Sequence, residues 1–549
     1  MSYDLKKKGR WLNSPSPNFK GLGRVWTKTN SPLFLSGNME NALAKNSNII
    51  WEKSKFFINR AVIYFSFLLL PVWIQKSLEI NIFVQSLMMM AYLMFMAGQW
   101  YLLGKEIDYR LKIYFRANSS IDRVLYRVII GNAVMMVILN LMSFIPDSIV
   151  RHFFWGFFVV VGLFYSWPTR GKIIQESVST QFTEYKYLDA FEKTVLFLTI
   201  ALFFVSMPSF PFLRNLEIFK LIVDPEEKMN GQLWSYLHMN FFPFHRFPHL
   251  MNLGWSMHFY FISFSIYLIA FYGILRFFIS RRLSILGLFA LVSTWSFSLF
   301  LQKDIYVCAS TTFSVLWVWS ILWCVKSSTY RSGLMYGLLC YAGVALNYNN
   351  FFFFPVGLAL LYFFFLKENT DWYRGQFVKY TSLGMFLILI TLITHIDLRF
   401  FEHAMSFAEL KSYIYTVLQR KAFYSLSVIG LVAYALMLIK PKFKFLTTLS
   451  IDFKRLSELA ILVACVLLLG LLIDKDFVKS FGMLWFVVFL SILPLEWIFQ
   501  TISRLRSRRN FIYVIYILLC LLDSHFEGRV RKLYNFYQSP PDIVEFLNR

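Results

Sequence analysis

Apolar runs of about twenty residues recur from one end of this chain to the other, and such a run is what a helix needs to cross ~30 Å of hydrocarbon. Inside lipid an isolated segment has no water to bond its peptide groups, so a helix that closes its own hydrogen bonds is the economical solution. The runs fall at 58–75, 80–103, 125–147, 152–168, 194–212, 257–279, 283–302, 305–325, 332–347, 350–366, 379–397, 422–439, 457–473, 479–499 and 510–523. They predict an all-α, polytopic transmembrane bundle of about 15 spans.

Composition agrees with a bilayer as solvent. Hydrophobic residues make up 57% and charged residues 16% of the 549 positions, with a mean hydropathy of +0.54, where soluble domains carry roughly 25% charged residues. The 62 Phe, 30 Tyr and 16 Trp supply packing mass for helices and amphipathic rings for the interfaces.

The net charge of +24 raises a nucleic-acid partner as a class, so the placement of the cations decides. They sit in short connections between apolar runs, and no basic, aromatic-laced domain stands apart, which excludes nucleic acid and leaves membrane lipids as the partner. Lys105, Arg110, Lys112 and Arg116 form one basic connection, and Arg170 with Lys172 another. Arg276, Arg281 and Arg282, then Lys326 and Arg331, then Lys367 and Arg374 continue the series, followed by Lys440, Lys442 and Lys444 and by Arg504, Arg506, Arg508 and Arg509. Every second connection is basic, which predicts a cytosolic N-terminus and a multi-pass plasma membrane protein, the bacterial inner membrane in a bacterium.

The expected organisation is a basic cytosolic segment 1–57, a four-helix membrane region 58–193, a transmembrane region 194–523 and an extracytoplasmic tail 524–549. The first residues, with Lys6, Lys7, Lys8 and Arg10, lack the compact form of a cleavable signal peptide. Two connections on the expected outer face, 213–256 and 396–421, are far longer than turns such as Asn347 to Asn350, and long polar loops on a compact scaffold tend to carry function.

The first long connection gathers Arg214, Glu217, Asp224, Glu226, Glu227, His245, Arg246 and His249. A carboxylate just beyond the end of a span is well placed as general base for a hydroxyl acceptor at the membrane surface, and Glu217 is the first choice, with a solvated loop charge as its alternative. Phe241 to Pro248 alternates aromatics with prolines and cations, as an interfacial segment or a structural lid would. Lys303, beside Asp304 at the outer end of two closely spaced spans, is a candidate for a lipid phosphate or a plain interfacial anchor. Arg399 and Arg420 in the second long connection are candidate phosphate clamps among charges that otherwise suit a solvated helix. Cys308, Cys324, Cys340, Cys465 and Cys520 lie in apolar runs without zinc or disulfide spacing, and no metal, nucleotide or serine-hydrolase motif occurs.

From about residue 194 the layout resembles the GT-C superfamily of membrane glycosyltransferases, especially bacterial relatives of protein O-mannosyltransferases and aminoarabinose transferases. The resemblance rests on a helix leading into the loop Leu213 to Trp255, then Phe259 to Arg282 with its basic turn, then Phe297 to Tyr306 with Gln302-Lys303 where the family has Ser-Arg. Gly337 to Pro355, with Gly343, Asn347 and Tyr348, is similar to the family's glycine-rich span, polar turn and proline. The family's Asp-Glu falls on Leu216-Glu217, and its His-Pro-Pro-Leu-like segment on Arg246 to Leu250.

The resemblance implies an inverting transfer of sugar from a polyprenyl-phosphate donor to an acceptor glycan, lipid or protein on the extracytoplasmic face, without a cofactor beyond the lipid-linked sugar itself. It implies Glu217 as catalytic base, with Arg246, Lys303, Arg399 and Arg420 on the phosphate and Arg214 positioning the loop. Two other classes remain: a lipid or glycan transporter or flippase, which would carry charges at midplane depth, and a non-catalytic scaffold derived from a transferase. Residues 1–193 resemble no family.

Overall fold

The computed structural model describes residues 35–70, 82–111, 120–142, 147–167, 188–206, 256–294, 297, 305–394 apart from 328 and 347, scattered positions of 406–435, 453–473, 483–501 and 508–538 apart from 525. Among these residues the structure is helical, with no strand. In chain order the helices are α1 (Leu35–Leu68), α2 (Ile82–Leu111), α3 (Ser120–Met142), α4 (Asp147–Ser166), α5 (Ala190–Ser206), α6 (Ser256–Phe278), α7 (Arg281–Ser293) and α8 (Ile305–Ser327). They continue as α9 (Ser332–Leu346), α10 (Phe353–Phe364), α11 (Asp371–Thr394), α12 (Phe453–Ile473), α13 (Leu484–Thr501), α14 (Arg509–Asp523) and α15 (Phe526–Gln538). The chain divides into two compact units, 1–59 and 60–549, and the helices from α2 onward belong to the second.

The apolar runs and the helices coincide closely for α6, α8, α9, α12 and α14, and differ at three places. Residues 35–57, expected as part of a cytosolic segment, are helical from Leu35 onward, and 526–538, expected as tail, form α15. The run 283–302 does not stay one helix: α7 stops at Ser293 and Thr294 turns to extended backbone, φ −62° and ψ 141°. There the Ser293 hydroxyl donates to the Ala290 carbonyl and the Thr294 hydroxyl to that of Leu291, local bonds that compete with helix propagation.

Helix α8 is the hub of the second unit, packed against α6, α9, α10 and α12. It is apolar around its circumference, as a helix buried on all sides must be, and Trp317 and Trp319 are fully buried. Each indole N–H still finds an acceptor: Trp317 donates to the Phe353 carbonyl at 3.0 Å and Trp319 to the Asp122 carboxylate at 3.0 Å. That second bond, with Tyr126 stacked on Trp323, fastens α3 to the hub.

Helices α2 and α3 form an antiparallel pair at very close approach. A β-carbon on Gly104 would land on the Arg127 backbone carbonyl, and one on Gly131 on that of Trp100. The pair is closed by Asp108, which accepts from the Tyr126 hydroxyl at 2.9 Å and from Arg127 Nε at 3.1 Å, while Arg127 also donates to the Tyr101 hydroxyl at 3.1 Å. Each of the buried acids Asp108, Asp122, Glu192, Glu458 and Glu496 lies within five residues of a helix end.

Two of the described helices are long and apolar enough to cross a membrane by length and composition, over Asp371–Ile393 and Arg455–Leu472. Shorter apolar stretches occupy Phe264–Phe278, Ser332–Ala345, Asn349–Phe364, Leu484–Glu496 and Arg509–Leu522. Several helices turn large apolar side chains outward. On α14 Phe511, Val514, Ile515, Leu518 and Leu522 make a continuous exposed stripe, and on α11 Phe386, Ile390 and Ile393 do the same.

Candidate functional site

The connection into α5 ends in Asp189-x-x-Glu192, a reciprocal cap. The Glu192 N–H donates to Asp189 Oδ1 at 2.8 Å, and the Asp189 N–H donates to Glu192 Oε2 at 2.9 Å, which satisfies donors that a helix start leaves open. The two carboxylates are then met by the first residues of α7. Arg281 grips Glu192 with a two-pronged bond, Nε to Oε1 at 2.9 Å and Nη2 to Oε2 at 2.8 Å, and Arg282 pairs with Asp189. Burial alone would raise the Asp189 carboxyl, but the Glu192 backbone N–H and the guanidinium groups of Arg282 and Arg281 outweigh it and hold the group below the usual carboxylate range. The bond to Glu192 strengthens the hold of Arg281 on its proton against the opposing effect of burial.

Glu496 of α13 completes this end by accepting from the Ser280 N–H at 3.1 Å and from the Ser280 hydroxyl at 2.9 Å, so it caps α7. Asn510, in the first turn of α14, faces Arg282 at 3.4 Å. Glu192 is engaged at both carboxylate oxygens and is 1% exposed, which suits a fastening of α5 to α7 rather than proton transfer to a substrate.

The opposite ends of α5 and α7 converge on one side chain from α15. Arg529 Nη1 donates to the Ser206 hydroxyl at 2.9 Å and to the Val292 carbonyl at 2.8 Å, and Nη2 donates to the carbonyls of Ser293 at 3.0 Å and Thr294 at 2.7 Å. The last carbonyls of a helix have no partner within it and carry the negative end of its dipole, so a cation there is doubly favoured. This explains how an arginine that is 1% exposed is tolerated. Phe297 packs nearby, 6.5 Å from the ring of Phe203 and 6.0 Å from that of Phe264.

These contacts fix the direction of the helices between the two ends. Helices α5 and α7 both run from the Glu192–Arg281 end to the Arg529 end. Helix α6 arrives at Ser280, so it begins at the Arg529 end. The Lys326 ammonium lies 4.7 Å above the Phe277 ring, which sets the last turn of α8 beside the last turn of α6 and the start of α8 at the Arg529 end. Helix α9 returns after a short turn, and α11 runs beside it in the same direction: Gly333 faces Phe377 and Thr381, while Gly337 faces Thr381 and Gly384. Ser206, Ser256, Thr294, Ile305 and Thr394 therefore share one end of the bundle.

Those five residues are the roots of the segments 207–255, 295–304 and 395–405. The candidate residues Arg214, Glu217, Arg246, Lys303, Arg399 and Arg420 lie within or beyond those segments, outside the described residues. Their roots share one end of the scaffold, as the parity of the basic connections predicts. Sequence reasoning missed Arg529. It stands in Arg529-Val530-Arg531-Lys532, where a helical period separates its face from that of Arg531 but does not say which face is buried. The Asp189-x-x-Glu192 pattern, by contrast, is a readable helix-start signature. Neither a family model, nor a curated protein, nor a solved structure matches the chain.

Proposed function

We propose that this chain is a multi-span membrane glycosyltransferase of the GT-C type, with its N-terminus in the cytosol and the Arg529 end of the bundle on the extracytoplasmic face. It moves a sugar from a polyprenyl-phosphate donor to an acceptor hydroxyl. The observation that carries the reading is the common end shared by Ser206, Ser256, Thr294, Ile305 and Thr394, because one reaction site needs the segments bearing its base and its cations to leave the scaffold together. The outward apolar stripes of α11 and α14 support the membrane part, since exposed apolar faces of this length call for a lipid or protein cover.

In the proposed reaction Glu217 takes the proton of the acceptor hydroxyl as its oxygen attacks the anomeric carbon. The bond from that carbon to the phosphate oxygen breaks, and the electron pair leaves with the lipid phosphate, inverting the configuration. Lys303, Arg246, Arg399 and Arg420 offset the negative charge that gathers on the leaving phosphate, and Arg214 holds the loop. The test is transfer from a polyprenyl-phosphate-linked sugar by the purified protein, wild type against Glu217→Gln.

A further inference from the structure

We infer that Arg529 is a positioning residue, and that α15 is the clamp that fixes the distance between the roots of the segments carrying Glu217 and Lys303. The inference rests on the glycosyltransferase reading for its consequence, though not for its geometry. Ser206 lies eleven residues before Glu217 and Thr294 nine before Lys303. One guanidinium bonds both roots, through the Ser206 hydroxyl and through the Val292, Ser293 and Thr294 carbonyls. The planar fork suits this task, because its two terminal nitrogens reach oxygens on two helices at a set separation, which a single ammonium does not reproduce.

The far ends of the same two helices are fastened independently by Glu192 and Arg281. Loss of the guanidinium therefore frees one end of the α5–α7 pair and leaves the other closed. Misplacement of reacting groups by about 1 Å costs on the order of a hundredfold in rate, so loosening these roots slows transfer without touching a reacting atom.

The experiment compares wild type, Arg529→Gln and Arg529→Lys, full-length in detergent, by hydrogen exchange and by sugar transfer. In Arg529→Gln, amides of 202–206 and 290–294 are expected to exchange roughly tenfold faster or more, the effect of losing one charged hydrogen-bonded group. Amides of 192–196 and 283–287 stay at the wild-type rate, and transfer falls roughly a hundredfold. Arg529→Lys lies between wild type and Arg529→Gln in both measurements. Unchanged exchange at 202–206 and 290–294 overturns the clamp, as does equal acceleration at both ends, which marks a general loss of stability. Accelerated exchange with an unchanged transfer rate overturns the positioning role. A wild type that transfers no sugar refutes the glycosyltransferase reading and the positioning role with it, while the exchange pattern still decides whether the clamp exists.

Discussion

Replacing Glu217 with Gln is expected to lower sugar transfer by roughly 10²- to 10⁴-fold, the range that a positioned general base contributes. The amide keeps the size and much of the hydrogen-bonding capacity of the carboxylate, yet it cannot accept the acceptor's proton. Expression and thermal unfolding should match the wild type, because a loop carboxylate that works on a substrate is not needed for helix packing. The measurement is the initial rate of transfer from a polyprenyl-phosphate-linked sugar. A Glu217→Gln protein that keeps its rate removes Glu217 as the base and leaves the scaffold reading the stronger.

Gly104→Val is expected to cost about 3 kcal/mol of stability, at the upper end of what overpacking does. The clash explains the size: the new β-carbon meets the Arg127 carbonyl, which is backbone and cannot swing away as a side-chain tip can. Separating α2 from α3 would also pull Arg127 from Asp108, a carboxylate that is 1% exposed. Gly98, on the same helix, has open space where its β-carbon would go. Gly98→Ala is therefore expected to be neutral or stabilising by up to ~1 kcal/mol through helix propensity alone. Thermal unfolding of the purified variants checks both, and a Gly104→Val protein that melts with the wild type refutes the close approach.

The positions of α6, α8, α9, α12 and α14 were legible because a helix that must bury or dissolve its whole surface in apolar surroundings writes that need into each residue along it. The end of α7 was not legible. It depends on Arg529, whose bond to the Thr294 carbonyl spans 235 residues, and on local hydroxyl bonds in a stretch whose hydropathy continues unbroken to Leu301. The Glu192–Arg281 fastening is legible by half. The cap at the start of α5 is a local pattern, but its partner stands 89 residues on, and one sequence holds no signal pairing the two.

The candidate site stands differently. Arg214, Glu217, Arg246, Lys303, Arg399 and Arg420 were chosen from loop length, charge and a family resemblance, and they lie outside the described residues. What the fold adds is the shared location of their roots, which alternation of the basic connections predicts and which helix direction bears out independently. Arg529 escaped notice because burial of a cation is decided by what packs on it, here the ends of two helices far away in sequence.

The most direct measurement labels single cysteines introduced at Asn215, Ser412 and Asn510, in a background lacking reactive native cysteines, with a membrane-impermeant maleimide on intact cells. The account predicts that Asn215→Cys and Ser412→Cys react from outside, and that Asn510→Cys reacts only after the membrane is opened. Labelling of Asn215→Cys and Ser412→Cys from opposite sides would contradict it.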